Sequence, residues 1–152
     1  MNIFSAFNVN ASGMTAQRYR MDIISENVAN AQSTRTEDGT PYRRKVVAFA
    51  EKGGKGSFVH ALNSAIDYHG AGFSGSGVKI TGVYQDYKTE MKKVYDPSHP
   101  DADEDGYVLF PNVNIITEMT NMIDASRAYE ANATAFNASK SMVQQGLQLG
   151  QS

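Results

Sequence analysis

The sequence has no cysteine and no tryptophan, and leucine is scarce. Without cysteine there is no disulfide framework, no zinc finger and no thiol nucleophile, and nothing can mispair outside a reducing compartment. A strong charge of one sign is also missing: the formal net charge is −2. That excludes the overall basic field with which proteins grip nucleic acid, and no long acidic or basic tail is present. No stretch approaches the roughly 18 apolar residues of a membrane-spanning helix, so no membrane insertion is expected. Met1–Phe7 lacks a cationic start followed by an apolar run, so no cleavable secretory signal is expected. What remains is 152 residues, 41% of them hydrophobic, enough for one compact domain with a modest core or a small module with long appended helices.

The two ends of the chain have helical rhythm. Phe4, Phe7, Ala11, Met14, Arg18, Met21, Ser25 and Val28 step by three and four, a coiled-coil-like stripe with polar interruptions. Gly13 inside it costs about 1 kcal/mol relative to Ala, which makes this helix weak alone. The C-terminal stripe is longer: Ile115, Met119, Met122, Ser126, Tyr129, Ala133, Phe136, Lys140, Val143 and Leu147. Pro111 and Asn112 are its start signals and Gly150 its stop. From Asn112 to Leu149 a helix would run about 57 Å at 1.5 Å per residue. A helix so long with one apolar stripe has to pack on a partner for most of its length.

The middle is different. Tyr42–Ala50 (YRRKVVAFA) has strand-forming residues, and Gly75–Tyr87 alternates apolar and polar. Lys88–Tyr95 continues or pairs with it, and Tyr107–Phe110 makes a last short strand. Residues 51–77, rich in Gly and Ser, read as a long loop, with a helical turn over Ala61–Tyr68. The expected fold class is α+β: long N- and C-terminal helices paired as a coiled coil, with a small β-rich central insert. The expected divisions are 1–33 for the first helix, paired with 112–150; 34–111 for the β-rich region, with its Gly-rich loop at 51–77; and 112–152 for the C-terminal helix.

Reactive chemistry is thin. Asp101–Gly106 (DADEDG) matches the opening of a calcium loop, and a calcium-binding module is the alternative functional class. The twelfth position, where a bidentate Glu belongs, is Asn112, and a tight acidic turn explains the same residues. His60 and His69 lack the spacing of a metal pair, and His99 among Asp96, Asp101 and Asp103 is only a loose polar cluster. Gly53–Gly56 lacks the spacing of a phosphate loop, and there is no nucleophile elbow. No enzyme activity, cofactor or metal is expected. Arg43–Lys45 is a short basic run on a strand, and nucleic acid is not an expected partner. Asn10, Asn132 and Asn137 open glycosylation sequons that carry no weight here.

The motifs at the ends are more specific. Ser12–Asp22 (SGMTAQRYRMD) leads into Ile24–Ala31 (ISENVANA) and Thr34–Gly39 (TRTEDG). Farther on stand Asp96–Asp101 (DPSHPD), Gly106–Val108, Pro111–Asn114 (PNVN), Glu118–Ile123 (EMTNMI) and Ser126–Asn132 (SRAYEAN). This set resembles the flagellar rod and hook axial family, over both termini and the segment leading into the C-terminal helix; residues 51–74 are largely unmatched. The resemblance implies a non-catalytic structural subunit of the proximal rod in the bacterial flagellar basal body. It also implies paired terminal helices lining a central channel, and export by the flagellar type III apparatus without a cleaved signal. The implied partners are other rod proteins, base-associated export components and copies of the chain itself. On that basis the assembly seam comprises Phe4, Phe7, Met14, Met21, Val28, Ile115, Met119, Met122, Tyr129, Phe136, Val143 and Leu147. The candidate subunit contacts are Asn27, Asn30, Arg127, Glu130 and Asn132. Asparagine is a poor helix former whose amide can donate and accept across a helix boundary.

Overall fold

A computed structural model describes residues 3–52 and 76–150, with side chains from Ser5 onward. Phe4 as a seam residue, the turn at 61–68, the loop at 53–75, His60, His69 and Gly53–Gly56 lie outside the described side chains and residues. The elements run α1 (Ile3–Ala29), β1 (Lys45–Glu51), β2 (Val78–Gln85), β3 (Lys92–Tyr95), β4 (Tyr107–Phe110) and α2 (Ile115–Leu149). Helices at both ends with small sheets between them make the class α+β.

Both helices end where side chains take over the backbone's hydrogen bonds. The last turn of α1 has no basic residue to offset the helix dipole. Asn30 instead donates its amide to Glu26 O and accepts from Ser33 Oγ, so it closes the helix with its own side chain. α2 begins three residues after the expected Asn112, because Asn114 is the residue that caps it. Asn114 Oδ1 accepts from the backbone N–H groups of Ile116 and Thr117, two of the donors a helix start leaves unpaired. At the far end Gly150 N–H donates to Gly146 O.

The strands form two two-stranded sheets, β1 with β2 and β3 with β4. Lys52 N–H reaches Gly77 O at one end of the first pair and Asp86 N–H reaches Arg44 O at the other, so that pair is antiparallel. β3 and β4 are antiparallel too, with Lys92 opposite Phe110 and Tyr95 opposite Tyr107. A lone two-stranded sheet is marginal in water. The second is fixed by Val108, which is fully buried, and by the edge-to-face contact of Tyr95 with Tyr107 at 5.2 Å.

The chain divides into two compact units, the described parts of 1–18, 49–81 and 127–152, and residues 19–48 with 82–126. In the first, Phe7 and Phe136 meet edge to face at 5.0 Å, and Ala16 is buried. Gly13 lies against Asn132, whose Oδ1 would be 2.8 Å from a Cβ there. The residue that looked like a weakness in the helix is therefore a close approach between α1 and α2. Ser12 Oγ donates to Val9 O and accepts from Val78 N–H, which ties the returning chain to α1. The return passes through Gly77 at φ 103°, where a Cβ would sit 2.2 Å from Ser12 Oγ. The second unit holds Ile24, Tyr42, Val108 and Ala125 as its apolar core and buries Asn27, Asn112 and Glu118 among them.

Asn114→Ala is expected to lower the unfolding free energy by about 1 kcal/mol, the usual cost of losing an N-cap. Asn114→Asp should keep it, since a carboxylate at a helix N-terminus also complements the dipole. Thermal unfolding followed by circular dichroism at 222 nm measures both.

Candidate functional site

The densest chemistry is a buried polar cluster in the second unit, centred on Asn27, which is 0% exposed. Its Oδ1 accepts from Tyr42 Oη at 2.9 Å and from Lys45 N–H at 2.8 Å. Its Nδ2 donates to Lys45 O at 2.8 Å and to Glu118 Oε2 at 3.0 Å. An asparagine amide has two N–H donors and two acceptor lone pairs, and all four are used. Two of the four go to the N–H and C=O of one residue, Lys45, as a neighbouring strand's backbone would. One side chain of α1 thus continues the β1 ladder and also reaches α2.

Glu118 is the charge in this cluster, 1% exposed. Its Oε1 accepts from Arg44 Nε and Nη2, both at 2.8 Å. A buried carboxylate is tolerated only when paired and hydrogen-bonded, and Glu118 is both. Arg44 Nη1 also lies 3.6 Å from Asp86. The Arg44 backbone N–H donates to Asn112 Oδ1, and Asn112 Nδ2 donates to Asp86 O and Thr89 O. Two buried asparagines therefore join α1, β1, the β2–β3 turn and the start of α2. Lys45 Nζ pairs with Glu26 at the rim. Burial, with the negative charges of Glu26 and Glu118 adding to it, pushes the Tyr42 phenol up to about 12. Hydrogen bonds from Thr89 hold the Asp86 carboxyl below its ordinary value.

The acidic turn does different work. Asp96 Oδ1 accepts from the N–H and Oγ of Ser98. His99 Nδ1 accepts from Asp101 N–H, and its ring faces Phe110. Asp101 accepts from Thr34 Oγ1 and lies 3.7 Å from Arg35. Asp103 Oδ1 accepts from the N–H groups of Asp105 and Tyr107, and its other oxygen lies 3.7 Å from Lys93. These carboxylates turn toward their own chain instead of converging. Among the described residues no group of three or more His, Asp or Glu could hold a metal ion.

The seam residues fall into two sets. Phe7, Met14, Met21, Val28, Met122, Phe136 and Val143 are half-buried, whereas Ile115, Met119, Tyr129 and Leu147 are exposed. Ser25, Val28 and Ala29 of α1 and Met119, Met122 and Ile123 of α2 line an open recess of about 410 Å³ in the second unit. A second recess of about 460 Å³, in the first unit, is lined by Ala6, Ser139, Met142, Val143, Gly146 and Leu147. Of the candidate contacts, Asn27 is a correction: every hydrogen-bonding position of its amide is taken within its own chain, which leaves none for a neighbour. Asn30 is half-buried in the α1 cap, and Asn132 is half-buried with its Nδ2 on Ala128 O. Arg127 and Glu130 are exposed, and no ion pair joins them. Sequence reasoning missed Tyr42, Arg44, Asn112 and Glu118 as one group. The available signal was an acidic residue beside an apolar helical stripe, with the basic run Arg43–Lys45 upstream to answer it.

Comparison with known proteins matches the same ends of the chain. A family model described as "Flagella basal body rod protein" matches residues 7–35, and one described as "Flagellar basal body rod FlgEFG protein C-terminal" matches residues 104–149. The chain is 46% identical to the flagellar basal-body rod protein FlgC of Borreliella burgdorferi, covering 97% of each. It is 44% identical to that of Bacillus subtilis, covering 99% of each. With the Escherichia coli protein it shares 38% identity over 99% of this chain and all of the relative.

Asn27→Leu should strand the Lys45 backbone groups and one Glu118 oxygen without partners and cost roughly 3 kcal/mol or more, read from urea denaturation. The raised Tyr42 phenol sets a pH response. Below pH 10 both states keep the proton; between about 10 and 12 only the folded state keeps it, so stability falls as pH rises. The slope is about 1.4 kcal/mol per pH unit, and Tyr42→Phe should flatten it.

Proposed function

The chain belongs to the family of the flagellar basal-body rod protein FlgC and is a structural subunit of that rod; we propose that it stands in the proximal part, between the membrane base with its export components and the more distal rod. The observation that carries this is identity of 46% running through 97% of both chains. The two matched segments are the helical ends, so the helices are the part shared with other rod-type chains.

The terminal regions 1–33 and 112–150 act as a coiled-coil pair with the β-rich region 34–111 carried between them. The contact of Phe7 with Phe136 and the close approach at Gly13 support that reading. The seam residues Phe7, Met14, Met21, Val28, Met122, Phe136 and Val143 hold the pair together. Arg127, Glu130, Asn30 and Asn132 are left as contacts to neighbouring subunits. The chain leaves the cell through the flagellar type III apparatus and assembles with other rod proteins and with its own copies. Among the described residues no helix is long and apolar enough to cross a membrane.

Deleting the gene in its host and imaging basal bodies by electron cryotomography tests the placement. The expected result is loss of the rod and everything beyond it with the membrane base retained. Intact rods in swimming cells would refute it. In the same host, Phe136→Asp should be made at normal levels yet fail to restore swimming, because it puts a charge against Phe7.

A further inference from the structure

The connection between β3 and β4 repeats one device three times. Asp96 Oδ1 accepts from Ser98 N–H, His99 Nδ1 from Asp101 N–H at 3.1 Å, and Asp103 Oδ1 from Asp105 N–H. Each time a side chain holds the backbone two residues on. Twice the acceptor is a carboxylate. The third time it is an imidazole, which accepts only at a nitrogen that carries no proton. Histidine as a residue type changes charge between roughly pH 5 and 8, and His99 is the one histidine among the described residues.

The imidazole sits where its bond has consequences beyond the turn. Asp101 accepts from Thr34 Oγ1 at 2.8 Å and lies 3.7 Å from Arg35 Nη1. Thr34 and Arg35 belong to the connection from α1 to β1, which closes on itself where Thr36 N–H and Oγ1 both donate to Thr40 O.

We propose that His99 is a proton-operated latch: its neutral ring seats Asp101 against Thr34 and Arg35, and its charged ring lets them go. Since Nδ1 accepts, the proton of the neutral ring is on Nε2. Charging the ring adds a proton to Nδ1, which then meets the Asp101 N–H, donor against donor, so the ring or the backbone has to turn. The groups around the ring set the balance. The carboxylates of Asp96 and Asp101 favour the charged form, and Arg35, beyond Asp101, opposes it. Phe110 on β4, with its ring 6.2 Å away, offers no acceptor. Hydrogen bonds from Ser98 hold the Asp96 carboxyl below its ordinary value, which keeps it charged as the pH falls. A turned ring therefore has a carboxylate to donate to, and a bond to Asp101 competes with that of Thr34. The Asn27 cluster contains no histidine and stays closed throughout.

The test uses the full chain labelled with 15N, titrated from about pH 8 to about pH 5.5, beside His99→Asn. Asparagine can accept from the Asp101 N–H as Asp96 and Asp103 accept from their own partners, but it does not titrate, so the variant keeps the turn and loses the response. The backbone resonances of Asp101, Thr34 and Arg35 should follow the His99 ring along one curve, and those of Lys45 should stay still. Trypsin cleavage after Arg35, located by mass spectrometry, should be roughly fivefold faster in the parent chain than in the variant at the lower pH, the order expected for one lost hydrogen bond, and equal at the higher. Comparing the two chains at one pH removes the protease's own pH dependence. A His99 ring that titrates while Asp101 and Thr34 do not move overturns the latch. So does an identical response in the variant, or a Lys45 resonance that moves with the others.

Discussion

Three elements of the second unit are fastened to one primary amide. Asn27 lies on α1, yet its hydrogen bonds end on the backbone of β1, the phenol of Tyr42 and the carboxylate of Glu118 in α2. A hydrophobic side chain at the same place could fill the volume but could not tell one register from another. A four-way hydrogen-bonded amide can, because a slip of one residue along β1 turns the backbone N–H and C=O it meets toward the opposite edge of the strand. The burial of Glu118 follows from this. Its charge is acceptable only because Arg44 and Asn27 reach it together, and Arg44 is held in place by Asn112. Few apolar groups are fully buried nearby, so geometry here is specified by polar satisfaction more than by volume.

The first unit is built on another economy. Residues 3–17 of α1 carry no charge, and Ala131–Leu149 of α2 carry one. Among the described residues its one buried apolar side chain is Ala16. Small and neutral side chains let helices approach closely, as Gly13 and Asn132 do, but they bury little area. Such a unit gains most of its stabilisation when further surfaces cover it. Among the described residues the contrast is thus between a unit locked by polar contacts and one that buries little apolar surface.

The helices and strands were largely legible because each rests on local signals. Periodicity marked α1 and α2, alternation marked β2, and Tyr107–Phe110 forms β4 as expected. The start of α2 was displaced because the expected Asn112 is engaged with Arg44, Asp86 and Thr89, and Asn114 places its oxygen over the first turn. The buried cluster was not legible. Asn27 and Glu118 are 91 positions apart, and nothing local separates an asparagine that braces its own chain from one offered to a neighbour. The stripe on α2 misled in a related way. Its spacing announced a buried face, but Met119 and Leu147 are bare, since periodicity tells that a face is apolar and not which molecule covers it.

The amide of Asn27 also bears on how the protein ages. Hydrolysis of an asparagine to aspartate exchanges an NH2 donor for an oxygen that only accepts. At this position the new carboxylate would face Glu118 Oε2 and Lys45 O, two acceptors. That hydrolysis ordinarily begins when the following backbone nitrogen attacks the side chain, which needs a mobile backbone and a free amide. Here the next nitrogen lies inside α1 and the amide is held at all four points, so the most damaging site for such a lesion is among the least able to suffer it. Asn137, exposed on α2, shares the helical backbone but keeps its amide at the surface, and has little to lose.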